Sequence, residues 1–261
     1  MNRPVARWTA ALAVVALATC TQVGTDPAAV VALVFDALPY PAIVSGDTLR
    51  DESGVAAPLV AVPLNSDGDP VTGPNVQFLA LDPGVTVSEN GIIVSTDTAG
   101  ATIRLLAQAG GLQSRPLSLF VTASPDSAAQ DGTVDTLRYT ALDGPNNVSG
   151  AMTIRVLSNA ATPPVGVRGW FVRYTVEYRG TTLPPGDETL AWFVDESNRR
   201  TSIDTTSTDG RAARRLRVVS TGLATTGESG LDSLIVTATV TARGAPLAGT
   251  PLRIVVQVRP Q

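Results

Sequence analysis

Three stretches in the C-terminal half of the chain alternate between inward and outward positions. Val172, Tyr174, Val176 and Tyr178 share one parity, with Arg173, Thr175 and Glu177 on the other. Leu234, Val236, Ala238 and Val240 alternate with Ile235, Thr237, Thr239 and Thr241. Leu252, Ile254, Val256 and Val258 alternate with Arg253, Val255, Gln257 and Arg259. A period of two buries one face of a strand and wets the other, as in an antiparallel sheet covered on one side. Between such runs lie turn clusters: Asn65-Ser66-Asp67-Gly68-Asp69-Pro70, Ala109-Gly110-Gly111, Leu183-Pro184-Pro185-Gly186-Asp187 and Arg243-Gly244-Ala245-Pro246. No helical periodicity follows the N-terminal apolar run. The pattern predicts an all-β chain of antiparallel sandwiches, with about seven strands in each.

Four markers recur in the same order. Asp47-Thr48-Leu49-Arg50 returns as Asp135-Thr136-Leu137-Arg138, and Pro70-Val71 before Val76-Gln77-Phe78-Leu79 as Pro164-Val165 before Trp170-Phe171-Val172. Ser95-Thr96-Asp97 with Gly100-Ala101 returns as Ser207-Thr208-Asp209-Gly210 with Ala212, and the closing strand Pro116–Val121 as Pro251–Val256. The spacing is too long for a solenoid and predicts two tandem domains, 31–122 and 123–261, behind a leader (1–19) and a tether (20–30).

The turns and strand ends resemble those of the bacterial immunoglobulin-like (Big) domains of invasin- and intimin-type surface proteins. The likeness rests on Gly68-Asp69-Pro70-Val71-Thr72-Gly73 before Val76-Gln77-Phe78, and on Ser207-Thr208-Asp209-Gly210-Arg211-Ala212 before the next strand. Asn90-Gly91-Ile92-Ile93 with Thr98-Ala99-Gly100-Ala101-Thr102-Ile103 resembles the group 2 branch, whereas the second domain is closer to group 1. The segments 124–149 and 181–206 are longer than that pattern requires. The resemblance implies two tandem antiparallel Ig-like β-sandwich domains acting as a spacer or adhesive module. It implies no catalytic residue.

Composition narrows the chemistry. The chain has no His, and all 19 basic residues are Arg. Imidazole bases, His metal ligands, Schiff-base lysines and the P-loop lysine are therefore absent. One Cys makes neither an internal disulfide nor a thiolate zinc cage. Carboxylate pairs such as Asp187-Glu188 and Asp195-Glu196 are the remaining acid–base equipment, and neighbours on a strand point to opposite faces. No catalytic site, cofactor or metal is predicted. Charge is uneven: residues 20–122 carry −7 and residues 123–261 carry +1, a balance that predicts no nucleic-acid partner.

The start reads as an export signal, with Arg3 and Arg7 ahead of the apolar run Ala10–Ala18. That run is shorter than the roughly 20 residues that span a bilayer. Leu17-Ala18-Thr19-Cys20 resembles a lipobox, in which Cys20 is acylated and becomes the first residue, although Thr19 stands where Gly, Ala or Ser is usual. Ala16-Leu17-Ala18 is a competing A-x-A site that would release a chain starting at Thr19. If acylated, Thr21 rather than Asp after the Cys implies the outer membrane, with the lipid at Cys20 as the membrane partner. Cleavage at Thr19 implies a periplasmic or secreted protein.

Candidate contacts concentrate late in the chain. Arg211, Arg215 and Arg217 share a parity and form, with Arg214, Arg199 and Arg200, the densest positive cluster, able to grip carboxylate or phosphate groups of a polysaccharide. The competing expectation is a solvated strand face neutralised by Glu188, Asp195 and Glu196. Trp192 is a candidate glycan platform, although both Trp170 and Trp192 are expected to pack in cores. Asp67 and Asp69 read as turn residues, and Asp126, Asp131 and Asp135 as a weaker domain-boundary calcium candidate. The partner is an unidentified envelope protein or polysaccharide. A carbohydrate-binding accessory module is the alternative reading.

The intact mass of the chain matured in a two-membrane bacterium separates the two leader readings. The lipobox predicts a start at Cys20 with added acyl mass; an unmodified chain starting at Thr19 removes the anchor.

Overall fold

A computed structural model describes residues 29–140, 147–185, 187–223 and 232–261. Cys20 and the leader lie outside these residues. The described chain is all-β apart from one 3-10 turn at Ser220–Gly222, and none of its helices is long and apolar enough to cross a membrane.

The N-terminal half contains β1 (Ala32–Val34), β2 (Ala42–Val44), β3 (Val62–Leu64), β4 (Val76–Ala80), β5 (Val85–Val87), β6 (Ile93–Ser95), β7 (Thr102–Ala109), β8 (Leu112–Gln113) and β9 (Leu117–Thr122). One sheet runs β2-β9-β7-β4, with β8 added to β7; the facing strands pair as β1-β3 and β5-β6. The C-terminal half contains β10 (Ser127–Gln130), β11 (Leu137–Tyr139), β12 (Met152–Ser158), β13 (Val165–Gly166), β14 (Phe171–Tyr178), β15 (Thr181–Thr182), β16 (Ala191–Val194), β17 (Ile203–Thr205), β18 (Arg211–Val218), β19 (Asp232–Thr239), β20 (Thr241–Ala242), β21 (Ala245–Pro246) and β22 (Leu252–Pro260). Its sheets run β10-β12-β18-β16 and β11-β22-β19-β14.

That second pair of sheets has the immunoglobulin order, A-B-E-D facing A′-G-F-C. Both halves share its less common feature, a parallel pair in an otherwise antiparallel sheet: β2 with β9 and β11 with β22. No strand pair or isolated bridge crosses from one half to the other among the described residues. Each half thus completes its own strand pairing.

The alternation places the core as expected. Val172, Tyr174 and Val176 on β14, Leu234, Val236 and Ala238 on β19, and Ile254, Val256 and Val258 on β22 are all buried. They face Met152, Ile154 and Val156 of β12 and Leu216 of β18. The Tyr174 hydroxyl crosses between sheets and lies 3.2 and 3.1 Å from the carbonyls of Met152 and Ala212. Burial pushes its pKa above the ordinary phenol value.

Two of the four sequence markers are structurally equivalent. The Pro-Val pairs both precede the C strand, and the closing strands both become β9 and β22. The others are not. Asp47–Arg50 follows β2 and bridges to β6 through Thr48 and Val94, whereas Leu137 and Arg138 lie within β11. Ser95–Ala101 joins β6 to β7, while Ser207–Ala212 joins β17 to β18.

One inward position holds a charge. Arg214 is 8% exposed, between the inward residues Ala212 and Leu216. Its guanidinium pairs with Asp204 at 2.8 Å and donates to the carbonyls of Thr201, Ala213 and Ile203. A buried charge survives when its donors are matched in this way. Arg214 thereby ties the crossover segment 201–205, which adds to β14 in one sheet, to β18 in the other. Arg214→Ala should remove the counter-charge of Asp204, which keeps only backbone donors, together with one donor from each of three carbonyls, and destabilise the chain by about 2–4 kcal/mol. Chemical denaturation checks this; a loss below about 0.5 kcal/mol would contradict a structural role.

Candidate functional site

The most elaborately built region joins the two halves. Tyr40 precedes β2 in the segment Leu38-Pro39-Tyr40-Pro41, where two prolines restrict the backbone on either side. It is 6% exposed. Its ring packs 5.1 Å from Trp170 and 4.6 Å from Phe171, both tilted. The Phe171 N–H donates to the Tyr40 hydroxyl at 2.9 Å, and the Trp170 indole N–H donates to the Thr241 carbonyl at 2.8 Å. Every polar atom of this aromatic cluster named here thus has a partner, as burial requires.

Ion pairs flank the cluster, each joining an acid of the N-terminal half to an arginine of the C-terminal half. Asp47 meets Arg243 at 2.7 Å, and Glu52 pairs with Arg173. Burial alone would raise the Asp47 pKa. Hydrogen bonds from Arg50, the Thr48 N–H and Arg243 overcome it and hold the carboxyl below its usual range. Arg243 reaches Asp47 from an Arg243-Gly244 turn in which both residues have positive φ, 50° and 78°, the signature of a type I′ hairpin. A Cβ on Gly244 would stand 2.3 Å from the Ser53 carbonyl oxygen, so the turn and the 51–54 loop touch backbone to backbone. On the other side, the Arg168 guanidinium stacks 3.6 Å over Phe120. A Cβ on Gly169, at φ 78°, would meet Ala42 at 2.7 Å. Aromatic packing, ion pairs and glycine-only contacts leave little room for one half to turn against the other.

The residues singled out from sequence lie elsewhere. Arg211, Arg215 and Arg217 do share the outer face of β18, and each is engaged. Arg211 pairs with Asp131 and Asp209, and the latter's carboxyl is held at about 2 by Ser207 and Arg211. Arg215 donates to the Asp195 and Glu196 carbonyls, both at 3.0 Å. Arg217 donates to Asn198 at 3.2 Å. The 195–199 turn folds back over this face and takes up both side chains. Arg199 and Arg200 pair with Asp195 and Glu188.

Trp170 is a core residue as expected, but Trp192 is not. It sits half-buried on the outer face of β16, opposite Arg217, with the Arg200 guanidinium 5.7 Å from its ring centroid. It borders a cleft of about 230 Å³ shared with Leu183, Pro184, Pro185 and Ser202. Asp67 and Asp69 belong to a turn in which the Asn65 side chain accepts from both their N–H groups. Asp126 accepts from the Asn159 N–H, Asp131 is taken by Arg211, and no group of three metal-ligating acids, thiols or imidazoles occurs among the described residues.

No sequence-family profile matches the chain. No curated protein matches it in sequence. Among solved structures it is similar to the adhesin InvE of Yersinia pseudotuberculosis, at 14% identity and TM-score 0.34, over 84% of this chain and 56% of that one. The Yersinia pseudotuberculosis InvD structure matches at 16% identity and TM-score 0.30, over 77% and 51% respectively. Domains 5–6 of the S-layer protein SbsC match at 13% identity and TM-score 0.26, over 88% and 96%. The chain spans about half the length of the InvE and InvD structures. The strand order, rather than these similarities, assigns the fold.

Tyr40 makes the joint sensitive to alkali. Burial raises its pKa from 10.0 to about 12, with the Phe171 hydrogen bond and Arg173 opposing. A phenol whose pKa is higher in the folded state contributes stability that is complete below pH 10 and lost as pH rises toward 12. The loss is roughly 2–3 kcal/mol. Tyr40→Phe should remove that part of the alkaline transition followed by Trp fluorescence, while the Tyr174 part remains. An identical alkaline profile in Tyr40→Phe would show that the joint does not carry it.

Proposed function

We propose that the chain is an exported, non-catalytic protein of the cell envelope, in which two rigidly coupled Ig-like sandwiches serve as a spacer or adhesion module of the invasin and intimin kind. The observation that carries this is the joint. A flexible pair of domains would have no use for an aromatic cluster, two cross-half ion pairs and glycines selected for backbone contact. A spacer must resist bending, and these contacts supply that resistance. The strand registers support an extended arrangement. β7 begins beside the joint and runs eight residues to Ala109, and β14 begins at Phe171 and runs to Tyr178. Both strands run away from the joint, so their far turns, near Gln113 and Thr182, each lie about 25 Å from it along the strand.

The leader reading adds the tether: acylation at Cys20 would fix the assembly to the outer membrane, and the chain would project from it. The half-buried Trp192 beside the Arg200–Glu188 pair gives the alternative, a glycan-presenting accessory module, its specific support. Fold alone does not decide between the two. Loss of glycan-array binding on Trp192→Ala would favour that alternative.

Surface display is tested by labelling. Thr182→Cys in a Cys20-acylated chain should react with a membrane-impermeant maleimide in intact cells. Labelling only after the outer membrane is breached would overturn the surface reading and leave a periplasmic protein.

A further inference from the structure

Most arginines of the described chain are bound to a carboxylate, a carbonyl or an amide. Arg115, Arg138, Arg168, Arg253 and Arg259 are exceptions, and three of them, Arg138, Arg253 and Arg259, project from one face of the sheet β11-β22-β19-β14. Arg253, Val255, Gln257 and Arg259 form the outward row of β22, since Ile254, Val256 and Val258 point into the core. Arg138 is the outward residue of β11, between buried Leu137 and Tyr139. Among the described residues, none of the three has a hydrogen bond or ion pair, and the Nε of Arg259 is buried with no acceptor there. Arg138 and Arg259 are register partners in the parallel pair, so their backbones lie about 4.8 Å apart. Like charges placed side by side on adjacent strands are destabilising unless something neutralises them. The carboxylate that these strands put on the same face, Glu177, lies two strands from Val255, beyond Ile235.

We infer that this face binds an anionic polysaccharide, with one acidic group held between Arg138 and Arg259 and another by Arg253. The chemistry follows from the row. Guanidinium groups grip carboxylate, sulfate or phosphate oxygens in pairs. The two cationic points lie six residues apart on one strand, about 20 Å, which suits an extended polymer. Between them, Gln257 and its register partner Ser233 offer amide and hydroxyl groups of the kind sugar hydroxyls pair with, and Val255, 57% exposed, gives an apolar contact for a ring face. A lipid headgroup layer needs no such polar strip. This deepens the adhesion reading and rests on it only for where the ligand is met; binding by the purified chain stands or falls apart from surface display.

The test uses the mature chain over immobilised heparin and polygalacturonate, with neutral dextran and phosphatidylglycerol vesicles as further arms. Retention on at least one acidic glycan that weakens with salt, and none on dextran, is expected; which glycan retains it distinguishes sulfate from carboxylate. Arg138→Gln with Arg259→Gln should weaken binding at least tenfold at undiminished thermal stability, since it also relieves the like-charge pair. Arg115→Gln with Arg199→Gln, which removes the same charge elsewhere, should change it less than twofold. Arg253→Gln alone should give an intermediate loss. No retention on either glycan, equal loss in the control pair, or binding to vesicles alone would each overturn the proposal.

Discussion

The Tyr40 side chain, held between Trp170 and Phe171, is the contact on which the arrangement of the molecule depends. No strand pairing joins the two sandwiches among the described residues, so nothing in the sheets orients one against the other. Orientation comes from a phenol carried by the N-terminal half into an aromatic pair at the head of β14. Because Phe171 begins the strand whose inward residues Val172, Tyr174 and Val176 make the second core, the joint and that core share a backbone. Movement of Tyr40 would disturb the first residues of the C strand directly. The apolar clusters of the two halves are accordingly continuous through Tyr40, Ala42 and Trp170.

Charge follows the same division of labour. The acidic N-terminal half spends Asp47 and Glu52 on the joint, where Arg243 and Arg173 meet them. Exposed pairs of this kind contribute little stability singly, up to about 1 kcal/mol. Their value is directional, since they flank the aromatic cluster and penalise rotation about it. Elsewhere Arg serves as a structural donor: Arg214 inside the sandwich, Arg215 and Arg217 against the 195–199 turn. The planar fork suits this role, because it satisfies several carbonyls at once where an ammonium would satisfy them less well.

Much of the fold was legible from the sequence where one face of a strand is buried and the other wet. β14, β19 and β22 are such strands, and their core residues are those the alternation identifies. The tandem organisation was legible through the Pro-Val pairs and the closing strands. The Asp-Thr-Leu-Arg and Ser-Thr-Asp markers misled because short polar signatures suit any reversal or strand entry, so they recur without structural equivalence. Trp192 lies in Leu190-Ala191-Trp192-Phe193-Val194, a run with no alternation to show which residue faces out. Arg214 occupies an inward position that parity allows but polarity argues against; Asp204 and three carbonyls make it tenable. Tyr40 gives no local signal at all, since its partners lie about 130 residues away. At 211–217 the partners were partly legible: Asp195 and Glu196 belong to the turn that takes up Arg215, whereas Asp131 lies 80 residues from Arg211. The arginines that converge on the outer face of β11 and β22 are scattered in sequence at 138, 253 and 259.

The central claim is that the two sandwiches move as one body. Spin labels at Gln113→Cys and Thr182→Cys, in a mature chain carrying Cys20→Ser, measure the distance between the two far turns by pulsed dipolar spectroscopy. A rigid joint predicts a single narrow distribution that broadens markedly on Tyr40→Ala. A broad distribution in the chain with Tyr40 intact, unchanged by Tyr40→Ala, would contradict the account.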